Sequence, residues 1–100
     1  MKQKIPRYLD EAFSHITDEM IKTFIKKHKD YGKENILDIG ELGIAFRISE
    51  KVSRLKNLLS KEVKAENETI DDSWLDIAVY AVIALLYRNS WFQKLKIKEK

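Results

Sequence analysis

The chain has no cysteine among its 100 residues. Disulfides, thiolate zinc sites and cysteine nucleophiles are therefore excluded together, and cysteine usage says nothing about redox compartment. One proline and three glycines are too few tight-turn residues for a strand-rich fold, which favours helices. With only two histidines, His15 and His28, a histidine-rich transition-metal site is a poor fit. The longest apolar run, Ile77 to Tyr87, falls well short of the roughly 20 residues that span a bilayer. The opening Met1-Lys2-Gln3-Lys4-Ile5-Pro6 lacks the apolar stretch of a signal peptide. These absences predict a cytoplasmic protein with no membrane partner.

What is present describes a single helical domain over 1–100. A content of 44% hydrophobic and 35% charged residues supports one core but not two. Nineteen Lys and Arg against sixteen Asp and Glu leave a net charge of +3, short of what a dedicated nucleic-acid binder carries, so no direct DNA binding is expected.

Three helices follow from the apolar spacing, which predicts an all-α bundle. In the first, Ile16, Met20, Phe24 and His28 recur every four residues behind Thr17 as N-cap, with Ile16 and Ile21 as its staple, until Tyr31-Gly32 stops it. Its expected range is about 17–31, with residues 1–14 an irregular lead-in. The second opens at Asp38 and Glu41 as a capping-box variant and carries Ile44, Ile48, Val52, Leu55 and Leu59 on one face, over about 39–60. A polar linker from Lys61 to Asn67 leads to the third, about 69–89, capped near Thr69. That helix is apolar on nearly all sides, so it should be covered all round, as the central helix or by a second copy in a homo-oligomer. The alternation of apolar residues with lysine in the tail, from Trp91 to Lys98, suits a short strand or extended edge.

Polar residues in this apolar frame carry the functional argument. Glu68, Asp72, Asp76 and Tyr80 advance in steps of four along the third helix, so Asp76 projects from a largely buried element. A buried carboxylate needs a cation from the protein, a metal ion, or both. Arg47, Glu50, Lys51 and Arg54 form one stripe on the second helix and supply candidate partners. Either an interhelical salt bridge satisfies Asp76, or Glu50, Asp72 and Asp76 collect magnesium while Arg47, Lys51 and Arg54 receive phosphate oxygens. The turn from Lys26 to Asn35 gathers cations, Asp30, an aromatic ring and an amide. There Tyr31 can stack on a base and Asn35 can bond its edge, with Lys29 or Lys33 near phosphate; a solvated helix end is the alternative. His28, on the apolar stripe, reads as a core or edge histidine.

Three stretches together resemble one known family. Lys27-His28-Lys29-Asp30-Tyr31-Gly32, then Arg47 with Glu50-Lys51 and Arg54-Leu55, then Glu68, Asp72 and Asp76 followed by Tyr80-Ala81, are similar to the conserved patterns of nucleotide modification associated domain 1. The likeness covers about 16–92. It implies an all-α fold related to the MazG-like nucleotide pyrophosphohydrolases, a magnesium-dependent site that cleaves between the α- and β-phosphates, and a setting in phage-type metabolism of modified nucleotides. On that reading Glu50, Asp72 and Asp76 are the catalytic and metal-holding acids, while Asp30, Tyr31, Asn35, Arg47, Lys51, Arg54 and Tyr80 bind the nucleotide. The chain departs from the MazG-like enzymes in having Glu50 without an acidic partner at 47, 53 or 54. Fewer carboxylates hold fewer metals, which leaves a one-metal enzyme, a non-catalytic nucleotide-binding module and a helical protein-interaction domain as the functions to distinguish.

Overall fold

The computed structural model describes residues 5–60 and 67–98, with side chains from Ile70 onward in the second stretch. Its elements are α1 (Leu9–Tyr31), α2 (Glu34–Ser60), α3 (Asn67–Arg88) and α4 (Trp91–Lys94). The described residues contain no strand. α3 is the hub of the bundle: α1, α2 and α4 all pack against it.

α1 begins eight residues before the expected Thr17 cap. Leu9, Phe13, Ile16, Met20 and Phe24 already lie at helical spacing, so the lead-in joins the helix. Asp10 and Glu11 place negative charge in its first turn, and the backbone N–H of Arg7 donates to Glu11 Oε1 at 3.2 Å. Thr17, inside the helix, turns its hydroxyl back to the Ser14 carbonyl at 2.9 Å and caps nothing. Gly32 ends α1 in a positive-φ conformation (φ 69°), and its N–H bonds His28 O at 2.8 Å.

α2 starts at Glu34 and not at the expected Asp38 boundary. Gly40, with φ 64° and ψ −170°, breaks the helix into a short segment and a long one. This region of backbone space is open almost only to glycine. The break lets Ile36 before it and Ile44 after it both enter the core, at 4% and 0% exposure. Glu41, expected as part of a cap, instead receives Arg88 Nη1 from the far end of α3 on both carboxylate oxygens, at 3.0 and 2.8 Å.

Ile36, Ile44, Val79, Ile83 and Phe92 make the buried cluster, with Phe24, Ile48 and Tyr80 packed around it. Leu55 is buried further along α2, whereas Val52 and Leu59 on the expected apolar face are exposed. Within one chain α3 is covered only toward its three neighbours: Trp74, Val82 and Leu85 remain exposed. An apolar groove of about 250 Å³ between α1 and α3 is bordered by Met20, Ile21, Val82 and Leu86. At the end of α3, Ser90 takes a left-handed conformation (φ 62°) and turns the chain into α4, which carries Phe92 into the core. The tail, expected as a short strand or an extended edge, is a helical turn over its first half, and from Leu95, which is extended (φ −96°, ψ 149°), it continues without forming a strand. The turn is anchored by Phe92, which is buried in the same cluster as Ile36 and Val79. No helix among the described residues is long and apolar enough to cross a membrane. Residues 61–66 of the expected linker lie outside the described residues.

Candidate functional site

Asp76 lies where the three main helices converge. Lys27 Nζ, from α1, donates to Asp76 Oδ1 at 2.7 Å, and Lys51 Nζ, from α2, donates to Oδ2 at 3.1 Å. The Asp76 side chain retains 19% exposure, against 47% for Lys27 and 33% for Lys51. Burial pushes its carboxyl up, and the two lysine hydrogen bonds with their charges outweigh that, holding it below the ordinary 3.8. The carboxylate that the sequence says must meet a cation meets two. Lys51 was among the expected partners. Arg47 and Arg54 were as well, yet Arg47 Nη1 instead donates to the Tyr80 hydroxyl at 3.4 Å, and Arg54 lies exposed along the groove described next.

Open space flanks this junction on more than one side. A groove of about 610 Å³ between α2 and α3 is bordered by Arg47, Glu50, Lys51, Arg54, Asp72 and Asp76, with Tyr80 at one side. The Lys51 ammonium also sits 5.8 Å from the centre of the Tyr80 ring, within cation–π range. A recess of about 270 Å³ is bordered by His28, Tyr31, Asn35, Ile83 and Phe92. Arg47, Asp76 and Tyr80 border both spaces. A third opening, about 390 Å³, lies beside Lys27, Asp30, Tyr31 and Asp72. Asp30 borders that opening and neither the recess nor the groove.

The recess joins an aromatic and apolar part to a polar border of Lys27, Arg47, Asp76 and Tyr80. The His28 ring stands 5.7 Å from Phe24 and 6.1 Å, edge-on, from Phe92. Ile36, Val79, Ile83 and Phe92, each at least 93% buried, form its apolar part. Asn35 is one of its lining residues, with Oδ1 buried and without a hydrogen-bond partner. An acceptor left in that state costs about 1–3 kcal/mol unless something else bonds it. Lys33, expected near phosphate, is committed elsewhere: its Nζ donates to Gln93 O at 3.2 Å and Leu95 O at 2.6 Å, satisfying carbonyls at the end of α4. Lys29 is exposed and borders neither the recess nor the groove.

All three acids expected to hold metal border the 610 Å³ groove. Among the described residues, however, no three or more His, Asp or Glu side chains come together as a metal-binding group, and both Asp76 oxygens are taken by lysine. As folded, Glu50, Asp72 and Asp76 do not fit a resident ion. Glu50 and Asp72 have no ion pair with another described residue. One or two carboxylates are what magnesium commonly takes from a protein when phosphates and water complete its shell.

The sequence profile of nucleotide modification associated domain 1 matches residues 27–87. The chain belongs to that family. The matched span of the nucleotide modification associated domain includes the Lys27–Asp76–Lys51 junction, and with it Asn35, Arg47 and Tyr80. Phe92, one wall of the recess, lies beyond the matched span. No curated protein and no solved structure matches the chain.

Two contributors to the site escape sequence reasoning. Lys27 stands among the cations of the turn in sequence, although it follows Phe24 by three residues and precedes Tyr31 by four, a spacing that puts it on the same face of α1 as those two rings. Phe92 had no signal of its own, because its placement depends on the left-handed turn at Ser90.

Proposed function

We propose that this domain binds a nucleoside triphosphate, with the base in the recess beside Asn35 and the phosphates in the groove bordered by Arg47, Lys51 and Arg54. The observation that carries this reading is that Arg47, Asp76 and Tyr80 border both spaces, placing a recess with aromatic and apolar walls and a cation-bearing groove side by side. The groove is comparable to small-molecule sites of roughly 300–1,000 Å³, and its apolar annex with a few convergent polar groups is the usual composition. Arginine and lysine bind phosphate oxygens through charge-assisted hydrogen bonds. The groove also carries Glu50 and Asp72, which would repel bare polyphosphate, so the ligand that suits it is the magnesium complex, with the ion brought by the nucleotide.

The test is a calorimetric titration with nucleoside triphosphates, with and without magnesium, on wild type and on Arg47→Ala and Arg54→Ala. Binding that weakens roughly tenfold or more in each variant, as expected for loss of a charge-assisted contact worth about 1.5–3 kcal/mol, supports the reading. Binding of no triphosphate, or binding indifferent to both substitutions, overturns it.

Hydrolysis between the α- and β-phosphates is the second reading, favoured by the alignment of Glu50, Asp72 and Asp76 along one groove. It would require Asp76 to release its lysines in favour of magnesium. Pyrophosphate released in the same mixtures, and lost in Asp76→Ala, would establish it.

A further inference from the structure

The apolar stripe of α1 is longer than the helix it packs on. Lys27 meets Asp76, while Thr17 and Met20 border the apolar groove with Val82 and Leu86, so earlier residues of α1 sit beside later residues of α3. Leu86 is two residues from the end of α3 at Arg88, yet the stripe of Met20 and Phe24 continues backward through Ile16, Phe13 and Leu9. Those three are 53%, 72% and 88% exposed. About two turns of apolar helix therefore stand out from the bundle as an arm. Charge on α1 is divided as well. Asp10, Glu11, Asp18 and Glu19 occupy its first half with no Lys or Arg, and Lys22, Lys26, Lys27 and Lys29 its second, with Asp30 the one acid there. A helix dipole favours that order only in the first and last turns, whereas Asp18, Glu19 and Lys22 lie mid-helix. Of these nine groups, Lys27 alone is in an ion pair with another described residue.

We infer that the 250 Å³ groove between α1 and α3 receives the α1 arm of a second copy, in a twofold dimer whose α1 helices run antiparallel. Twofold symmetry makes the contact twice, each copy giving an arm and offering a groove. Antiparallel pairing lays the acidic half of each α1 beside the basic half of the other. Parallel pairing would set acid against acid and lysine against lysine. Exposed pairs of this kind add little stability, and their effect is to fix orientation. The apolar residues supply the burial: Leu9, Phe13 and Ile16 from one copy against Val82 and the 62% exposed Leu85 of the other. Left in water, they form a larger patch than a monomer commonly shows. An anionic lipid surface, the alternative cover for an amphipathic helix, draws cations on the polar face, and the arm carries Asp10 and Glu11. The four helices so joined, α1 and α3 of each copy, cover the side of α3 that one chain leaves open. None of these residues borders the groove assigned to phosphate, so the dimer stands apart from the nucleotide reading.

The experiment measures mass by light scattering over a range of concentrations and orientation by cross-linking. Wild type is expected at twice 11.8 kDa, and Phe13→Glu at the mass of one chain. Two charge reversals follow, Asp10→Lys with Glu11→Lys and Lys22→Glu with Lys26→Glu. Each alone should weaken the dimer roughly tenfold or more through like-charge contact, and an equimolar mixture of the two should restore it. Restoration on mixing cannot come from misfolded chains. Because the chain has no cysteine, single thiols report the geometry. An arm of residues 9–16 lying along residues 17–24 of the other copy puts the twofold axis beside Ile16 and Thr17. Thr17→Cys should then form a disulfide-linked dimer on mild oxidation. Leu9→Cys should not, since its two copies lie about 20 Å apart at 1.5 Å per residue, far beyond disulfide reach. Wild type at the mass of one chain throughout, or a dimer indifferent to Phe13→Glu, overturns the inference. Reversal variants that fail to recover on mixing, or Leu9→Cys cross-linking as readily as Thr17→Cys, overturn the antiparallel arrangement.

Discussion

Lys27 on α1 and Asp76 on α3, 49 residues apart in sequence, meet at 2.7 Å. Lys51 reaches the second oxygen of the same carboxylate from α2, so one side chain links all three long helices. The lysines are a third to a half exposed, and water takes back much of what each ion pair would contribute. The junction is accordingly better placed to orient two ammonium groups than to hold the bundle together.

The pH dependence of stability follows from the direction of the Asp76 shift. Its folded pKa lies below 3.8, so the folded state binds the proton less readily than the unfolded chain. The stabilisation is present above the unfolded value and is lost as pH falls through the lower folded one. Asp76→Asn should therefore lower urea-unfolding stability at neutral pH by no more than about 1 kcal/mol, with the difference vanishing in acid. A gap that persists unchanged well below 3.8 would assign the effect to packing and not to charge.

Neutralising Asp76 should also strengthen triphosphate binding. Lys27 and Lys51 carry two positive charges against its one negative, and removing that charge leaves both ammonium groups for the ligand. A gain of roughly tenfold, or about 1.4 kcal/mol, is expected for Asp76→Asn in titrations with and without magnesium. A loss confined to the magnesium titration would instead make Asp76 a metal ligand and favour the hydrolytic reading.

Glu50 and Asp72 should behave oppositely. The pair Glu50→Gln with Asp72→Asn should abolish the increase in affinity that magnesium gives and improve binding of the metal-free nucleotide, because both groups repel phosphate when no cation intervenes. Titration of the double variant across magnesium concentrations measures it. An undiminished magnesium effect would move the ion away from these two carboxylates.

Gly40→Ala tests the break in α2. The added Cβ would sit 3.5 Å from the Tyr87 hydroxyl, an ordinary contact, so the expense is in the backbone, where φ is +64°. A destabilisation of about 1–3 kcal/mol is expected from that conformation, read as a shift in urea midpoint. A neutral result would show that α2 can straighten without disturbing Ile36 and Ile44.

The exposed apolar residues of α1 and α3 keep self-association in view as a proposal. Ile21 is 56% and Leu85 62% exposed, and α1 has no buried residue along its 23 positions. A homo-oligomer covering this face should scatter light as a multiple of 11.8 kDa and fall to one chain in Ile21→Glu with Leu85→Glu. Wild type at the mass of one chain over the accessible concentration range would exclude it.

The helical architecture was legible because apolar spacing is local: 20, 24 and 28 on α1, and 44, 48 and 55 on α2, declare their faces without reference to the rest of the chain. Asp76 was legible for a related reason, as a charge on an otherwise apolar helix. Its second lysine was not, since pairing across 49 residues depends on how helices cross. Boundaries suffered where a plausible local signal competed with tertiary context. Thr17 has the chemistry of a cap, but it sits inside a run of apolar spacing that begins at Leu9. The recess could be guessed at Tyr31 and Asn35, whereas the other side of it comes from α3 and α4 and has no signature in the turn.

Phe92 lies outside the span shared with the family, yet it closes one side of the recess, and Lys33 clasps the carbonyls just after it. The same ring belongs to the buried cluster with Ile36, Ile44, Val79 and Ile83, so a chain ended at residue 87 would lose a wall of the recess and part of the core in one stroke.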